Sequence, residues 1–135
     1  MYLVDTSIWI DFLRQRETES VGFLEQLLEN PLACGITDQI YLEVLQGARD
    51  ESSFDKLQHY FSGQRFYAFE NSRQSHAEAA RIYLQCRKAG ITIRSSIDCL
   101  IAQCAKEHEL ILLHNDRDYL AMAQIVPELR QKHFL

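Results

Sequence analysis

Asp5, Glu43, Asp98 and Asp116, with Asp118 two residues beyond the last, are the side chains whose types and spacing suggest chemistry. Asp5 closes a short apolar run, Leu3-Val4, and Asp116 and Asp118 follow another, Leu110-Ile111-Leu112-Leu113, across His114-Asn115. Asp98 falls in the first turn of an expected helix, where the helix dipole favours a carboxylate, yet it is three residues from Ile101 and so borders a buried stripe. Glu43 is placed similarly, three residues after Ile40 and one before Val44. Taken singly, an Asp or Glu is ordinarily solvated, capping or ion-paired, and Asp116 and Asp118 also suit a turn or a helix N-cap. Their coincidence at strand ends and core-bordering helix positions, with no matching set of lysines and arginines beside them, points to a shared cation, because clustered carboxylates without one are costly. Oxygen-only ligands suit Mg²⁺ or Mn²⁺. Such an ion fits phosphodiester hydrolysis, activating water and neutralising charge on the phosphate and leaving oxygen. The chain offers no Ser-His-Asp arrangement, phosphate-binding Gly loop or Rossmann glycine fingerprint to compete for the chemistry.

Elements able to position these acids are legible as an alternation. Leu3-Val4 reads as a first strand, followed by a helix from Ser7 that carries Ile8 and Phe12 on one side. A second helix is expected over Thr18–Glu29, ended by Asn30-Pro31, and a second strand over Leu32–Ile36. Thr37 suits the N-cap of a helix through Ile40, Val44 and Leu45 to Gly47-Ala48, and Ser52 or Ser53 that of the next, which Gly63 closes. Arg65–Phe69, rich in aromatics, predicts a third strand; Ser72 or Ser75 would cap a long helix ending at Gly90, and Ser96 a helix bearing Leu100 and Ile101. Leu110–Leu113 is the cleanest buried strand, followed by a helix from Tyr119 to about Gln124 and a terminal strand near His133-Phe134. Strands alternating with helices predict an α/β fold: one three-layer domain over residues 1–135, with a mainly parallel sheet covered on both faces. In such folds ligands gather beyond the carboxyl ends of the strands, which is where Asp5 and Asp116 stand.

Composition narrows the setting. A chain of 135 residues, 47% hydrophobic, can bury one core. It shows no secretory leader and no apolar run of membrane-spanning length, so a cytosolic protein is expected, with Cys34, Cys86, Cys99 and Cys104 reduced and serving as small core residues. The formal net charge of −5 argues against a broad nucleic-acid-binding surface, but much of that acidity would be local to the metal site.

Together Val4-Asp5-Thr6-Ser7-Ile8-Trp9-Ile10, Glu43, the run Ile93-Arg94-Ser95-Ser96-Ile97-Asp98-Cys99-Leu100-Ile101-Ala102, and Leu112-Leu113-His114-Asn115-Asp116-Arg117-Asp118-Tyr119 resemble the VapC-type toxins of the PIN-domain family, in order and over nearly the whole chain. The resemblance implies a PIN-like fold and a Mg²⁺- or Mn²⁺-dependent endoribonuclease, the toxin of a type II toxin–antitoxin pair. Asp5, Glu43, Asp98 and Asp116 carry over as catalytic, metal-binding acids, Asp118 as a further acid near the ion, and Thr6 or Ser7 as a hydroxyl shaping the site. The family commonly has Asp-Phe where this chain has Asp118-Tyr119. It also implies an RNA substrate, a homodimer and a VapB-like antitoxin whose tail lies across the cleft. Trp9, Phe12 and Leu13 with Phe23, Leu24 and Leu27 offer that tail an apolar groove, unless they are core. Arg94 and Arg117 are the candidates for holding RNA phosphate, since guanidinium presents a forked set of donors, and His114 is either near the cleft or a polar strand end.

Other acidic α/β sites fit less well. A response-regulator receiver needs adjacent acids after strand one and a late lysine, and a haloacid-dehalogenase-type phosphatase needs Asp-x-Asp where this chain has Asp5-Thr6-Ser7. A PIN-domain nuclease of RNA maturation, or a PIN-like module that binds RNA or protein without cutting, is the remaining alternative.

Overall fold

A computed structural model describes residues 1–135. The elements run β1 (Tyr2–Val4), α1 (Thr6–Leu13), α2 (Glu19–Leu28), β2 (Cys34–Gly35), α3 (Asp38–Leu45), α4 (Glu51–Ser62), α5 (Ser72–Lys88), α6 (Ser96–Glu107), β3 (Ile111–Leu113), α7 (Arg117–Ile125) and β4 (Arg130–Lys132). The four strands form one parallel sheet in the order β2-β1-β3-β4. The chain leaves β1 to one side to form β2 and returns to its other side for β3, so the strand order reverses at β1. Right-handed crossovers then put α1 and α2 on one face and α7 on the other, the α/β sandwich that the alternation predicts. The reversal also opens a crevice beyond the carboxyl ends of β1 and β3.

Leu3, Val4, Leu112 and Leu113 are fully buried, so the two central strands are apolar on both faces. The core is a single cluster of 27 buried residues, to which all four unpaired cysteines belong. Trp9 anchors α1 in it: the indole is fully buried, donates from Nε1 to the Val4 carbonyl at 3.1 Å, and meets the Phe61 ring of α4 edge-on at 4.9 Å. Because Trp9 is rigidly seated, the first turn of α1 is fixed against the end of β1, where Asp5 lies. No helix is long and apolar enough to cross a membrane.

Several boundaries differ from the sequence reading. The caps of α4, α5 and α6 are Asp50, Asn71 and Ser95, not the serines that follow them; each accepts a backbone N–H of the first turn, from Ser53, Gln74 and Ile97. Asp and Asn are as good acceptors here as Ser, and they come earlier in the chain. The last helix begins at Arg117, capped by Asp116, and the last strand is Arg130–Lys132 rather than His133-Phe134. Arg65–Phe69 forms no strand, only a parallel bridge of Phe66 to Ile36. Beyond that rung the Tyr67 carbonyl accepts from Cys104 Sγ and the Ala68 carbonyl pairs with His108 Nε2, so the groups that would extend a ladder are already occupied.

Two glycines matter to the backbone. Gly90, at φ 78°, takes the left-handed turn that ends α5. Gly35 lies under the Arg65–Tyr67 segment, and a Cβ there would stand 2.6 Å from the Arg65 carbonyl oxygen and 2.7 Å from Tyr67 Cε2. Gly35→Ala is therefore expected to cost about 1–3 kcal/mol through overpacking; a urea denaturation midpoint equal to that of the wild type would refute this.

Candidate functional site

The crevice beyond β1 and β3 collects the predicted acids. Asp5 caps α1 and is 4% exposed; its Oδ2 accepts from the Ser7 backbone N–H at 3.1 Å and from Ser7 Oγ at 2.7 Å. Its Oδ1 accepts from the Tyr119 hydroxyl at 3.0 Å, and the same hydroxyl lies 3.3 Å from Asp98 Oδ1. One buried phenol thus joins the acid of β1 to the acid of α6. Glu43 enters from α3, held at Oε1 by the Thr6 hydroxyl at 2.7 Å. Asp116 enters from the N-cap of α7, and carboxylate oxygens of Asp98, Asp116 and Asp118 all lie within 4.8 Å of one another. The ambiguity between Thr6 and Ser7 thus divides: Ser7 fixes Asp5 and Thr6 fixes Glu43.

Electrostatics report the crowding. Burial first, then the charges of Asp5, Asp116 and Glu43, push the Asp98 carboxyl up from 3.8 to about 7. Burial raises Asp5 against the Ser7 and Tyr119 hydrogen bonds that pull it down. Glu43 is raised by burial, then by the charges of Asp5 and Asp116, against the bond from Thr6. Tyr119 is fully buried and held well above its ordinary value by burial and the adjacent acids, so it stays protonated and serves as donor. This cluster is the state that a cation relieves: several oxygen donors, no nitrogen or sulfur donor, and carboxylates that disfavour one another's ionisation. The donor set fits a hard divalent ion.

One cation is already present. Arg94 bonds through Nη2 to Asp116 Oδ1 and through Nε to Asp118 Oδ2, each at 3.1 Å. Its side chain is 73% exposed, so the pairs add little stability. The expectation that the acids lack a basic neighbour therefore fails at Asp116 and Asp118, because the loop before α6 folds back over α7. Arg94 thus bridges the two acids at the edge of the cluster. Arg117 is exposed and makes no ion pair.

His114 does not face the crevice. It is fully buried; Nδ1 accepts the Asp116 N–H at 3.1 Å, which leaves Nε2 to donate to Gln131 Oε1 at 2.7 Å. Burial lowers its pKa, so it is a neutral polar strut under the Asp116 loop. Two supporting residues escaped the sequence reading. Asn115 ties the loop after β3 to Ser7, Ser20 and Phe134, at 3.2, 2.9 and 3.2 Å. Tyr119, marked in the sequence only as standing where the family commonly has Phe, contacts two of the acids; its only signal was a hydroxyl three residues after Asp116, one helical turn on.

The anticipated apolar groove is only partly present. Trp9 and Leu24 belong to the core, and Phe23 packs on Tyr2 and Phe134. Phe12 and Leu13 do line a cleft of about 860 Å³ between α1 and α2.

Comparison with known proteins places the chain in a family. The PIN domain family model matches residues 2–125. The chain is 32% identical over 126 residues to the VapC ribonuclease Mb1587 of Mycobacterium bovis, and equally to ribonuclease VapC11 of Mycobacterium tuberculosis, covering 93% of each chain in both comparisons. Among solved structures it resembles VapBC2 from Rickettsia felis bound to a DNA fragment from their promoter, with a TM-score of 0.73 at 18% identity, covering 99% of this chain and 98% of that one.

Proposed function

Because the chain belongs to the PIN-domain family, among its VapC-type ribonucleases, we propose that it is a divalent-metal-dependent endoribonuclease and the toxin of a type II toxin–antitoxin pair. The observation that carries the reading is the convergence of Asp5, Asp98 and Asp116, from three different elements, on one crevice with Glu43 beside them. In this reading Asp5, Glu43, Asp98 and Asp116 hold Mg²⁺ or Mn²⁺, and Asp118 contributes at the edge of the site. The ion, when bound, supplies water activation and charge neutralisation on the phosphate.

The remaining residues fix the geometry. Ser7 orients Asp5 through two hydrogen bonds to one oxygen, and Thr6 orients Glu43. Tyr119 spaces Asp5 from Asp98 while excluding water from beneath them, being fully buried itself. Arg94, with an exposed side chain, is suited to pass from Asp116 and Asp118 to an incoming RNA phosphate once an ion takes over those carboxylates. Arg117 is free to add a second phosphate contact. The proposed setting is the cytoplasm, with one folded domain over residues 1–135, homodimerisation and control by a VapB-like antitoxin. Its tail would use the cleft at Phe12 and Leu13.

The test is direct. Antitoxin-free protein cuts a structured RNA in Mn²⁺ or Mg²⁺ and stops in EDTA; cleavage undiminished by EDTA would sink the metal-dependent reading.

A further inference from the structure

A second cleft, of about 420 Å³, lies where α1, α3 and α4 meet, and Glu43 forms part of its wall. Arg14, Arg49 and Lys56 line it as well. All three are exposed, and none takes part in an ion pair. Arg49 and Lys56 act on Asp50, whose pKa is lowered first by its hydrogen bonds with Ser53 and only then by those two cations. That carboxylate is committed to capping α4 and does not line the cleft. The larger cleft between α1 and α2 has the opposite character: Glu17, Glu19 and Glu25 line it, and its one cation, Arg16, is paired with Asp11. Helix α1 therefore separates a basic channel from an acidic one, in a chain whose net charge is −5. A polyanion reaching the acid cluster is steered to the basic side, because a cleft lined by one sign of charge concentrates its counter-ion.

We propose that the α1–α3–α4 cleft binds the sugar–phosphate backbone of single-stranded RNA as the strand runs from the acid cluster past Glu43, with Arg14, Arg49 and Lys56 as its phosphate contacts. This rests on the nuclease reading for its substrate class, but it concerns residues outside the acid cluster. The cleft offers no aromatic platform, only aliphatic walls such as Ile10 and Leu13, so it holds backbone and does not select bases. Affinity contributed here is insensitive to sequence and sensitive to salt.

Metal-free protein in EDTA, titrated into a labelled oligouridylate at a series of KCl concentrations, reads binding without cleavage. The double variant Arg49→Gln/Lys56→Gln is expected to bind about tenfold more weakly at low salt, and its salt slope to fall by roughly 1.4, about 0.7 for each lost single-strand phosphate contact. Arg49→Lys, which keeps the charge, holds most of the affinity, and Glu25→Gln in the opposite cleft does not weaken it. With Mn²⁺ the double variant raises KM for RNA and keeps kcat. Unchanged affinity and salt slope in the double variant overturn the proposal. So does retained RNA affinity together with lost binding of a short oligoglutamate peptide, which would assign the cleft to an acidic protein segment. Charge-dependent RNA binding by a wild type that never cleaves would leave the cleft standing and remove the nuclease reading; normal cleavage with an unaffected double variant does the reverse.

Discussion

Asp98→Asn is expected to lower the rate of RNA cleavage by roughly a thousandfold, since metal-assisted stabilisation supplies several kcal/mol and each 1.36 kcal/mol is about tenfold in rate. The substitution keeps the shape of the side chain and an oxygen able to accept from Tyr119, whose hydroxyl lies 3.3 Å from Asp98 Oδ1. What it removes is one negative charge facing Asp5, Asp116 and Glu43, the three groups that help push Asp98 to about 7. Loss of activity is therefore predicted without loss of fold, which separates this change from the usual destabilising effect of replacing a buried residue. Growth arrest on expression in bacteria should disappear with the activity. A soluble Asp98→Asn protein that cleaves RNA at the wild-type rate would remove Asp98 from the metal site.

How much of this was readable in advance depended on whether a residue acts through local pattern or through a distant partner. Asp5 and Asp116 were legible because each directly follows an apolar strand, and parallel strands deliver their carboxyl ends to one side of the sheet. Glu43 and Asp98 were legible because an acid beside a helix's apolar stripe needs a reason to be there. The Arg65–Phe69 segment was misread because its strand-forming composition is a statement about side chains that pack on a sheet. Its backbone is satisfied by Cys104 and His108, about forty residues away, and only its first rung pairs with Ile36. The Arg94 bridge depends on the loop before α6 meeting the start of α7, a contact with no local signature. Tyr119 shows the limit most clearly: its place at the start of the last helix is legible, but what its hydroxyl touches is fixed by β1 and α6 together.

The same crowding predicts a dependence of stability on pH whose sign inverts the usual carboxylate behaviour. Asp98 has a folded-state pKa of about 7 against an ordinary 3.8, so the folded protein holds its proton more tightly than the unfolded chain does. Its contribution to metal-free stability is fully present below 3.8 and is lost as pH rises through about 7. Asp5 and Glu43 are shifted the same way and add to the loss. His114 acts in the opposite sense: its folded pKa is lowered below 6.5, so its contribution grows with pH and is complete above that value. Subtracting the melting temperature of wild type from that of Asp98→Asn cancels His114. In EDTA and low salt, the difference is expected to turn increasingly in the variant's favour between about pH 4 and about pH 7, reaching several degrees, and then to level off. Saturating Mn²⁺ should reverse the order above pH 7, because a ligand that binds only the folded state stabilises it by roughly 2.7 kcal/mol at a hundred times its dissociation constant. The wild type gains from the ion, and the gain grows with pH as protons cease to compete for the same oxygens. Four separate, solvated carboxylates would give neither a pH-dependent difference nor a metal response that requires Asp98. Parallel melting curves for the two proteins, with and without Mn²⁺, therefore test the shared site without any knowledge of the RNA it cuts.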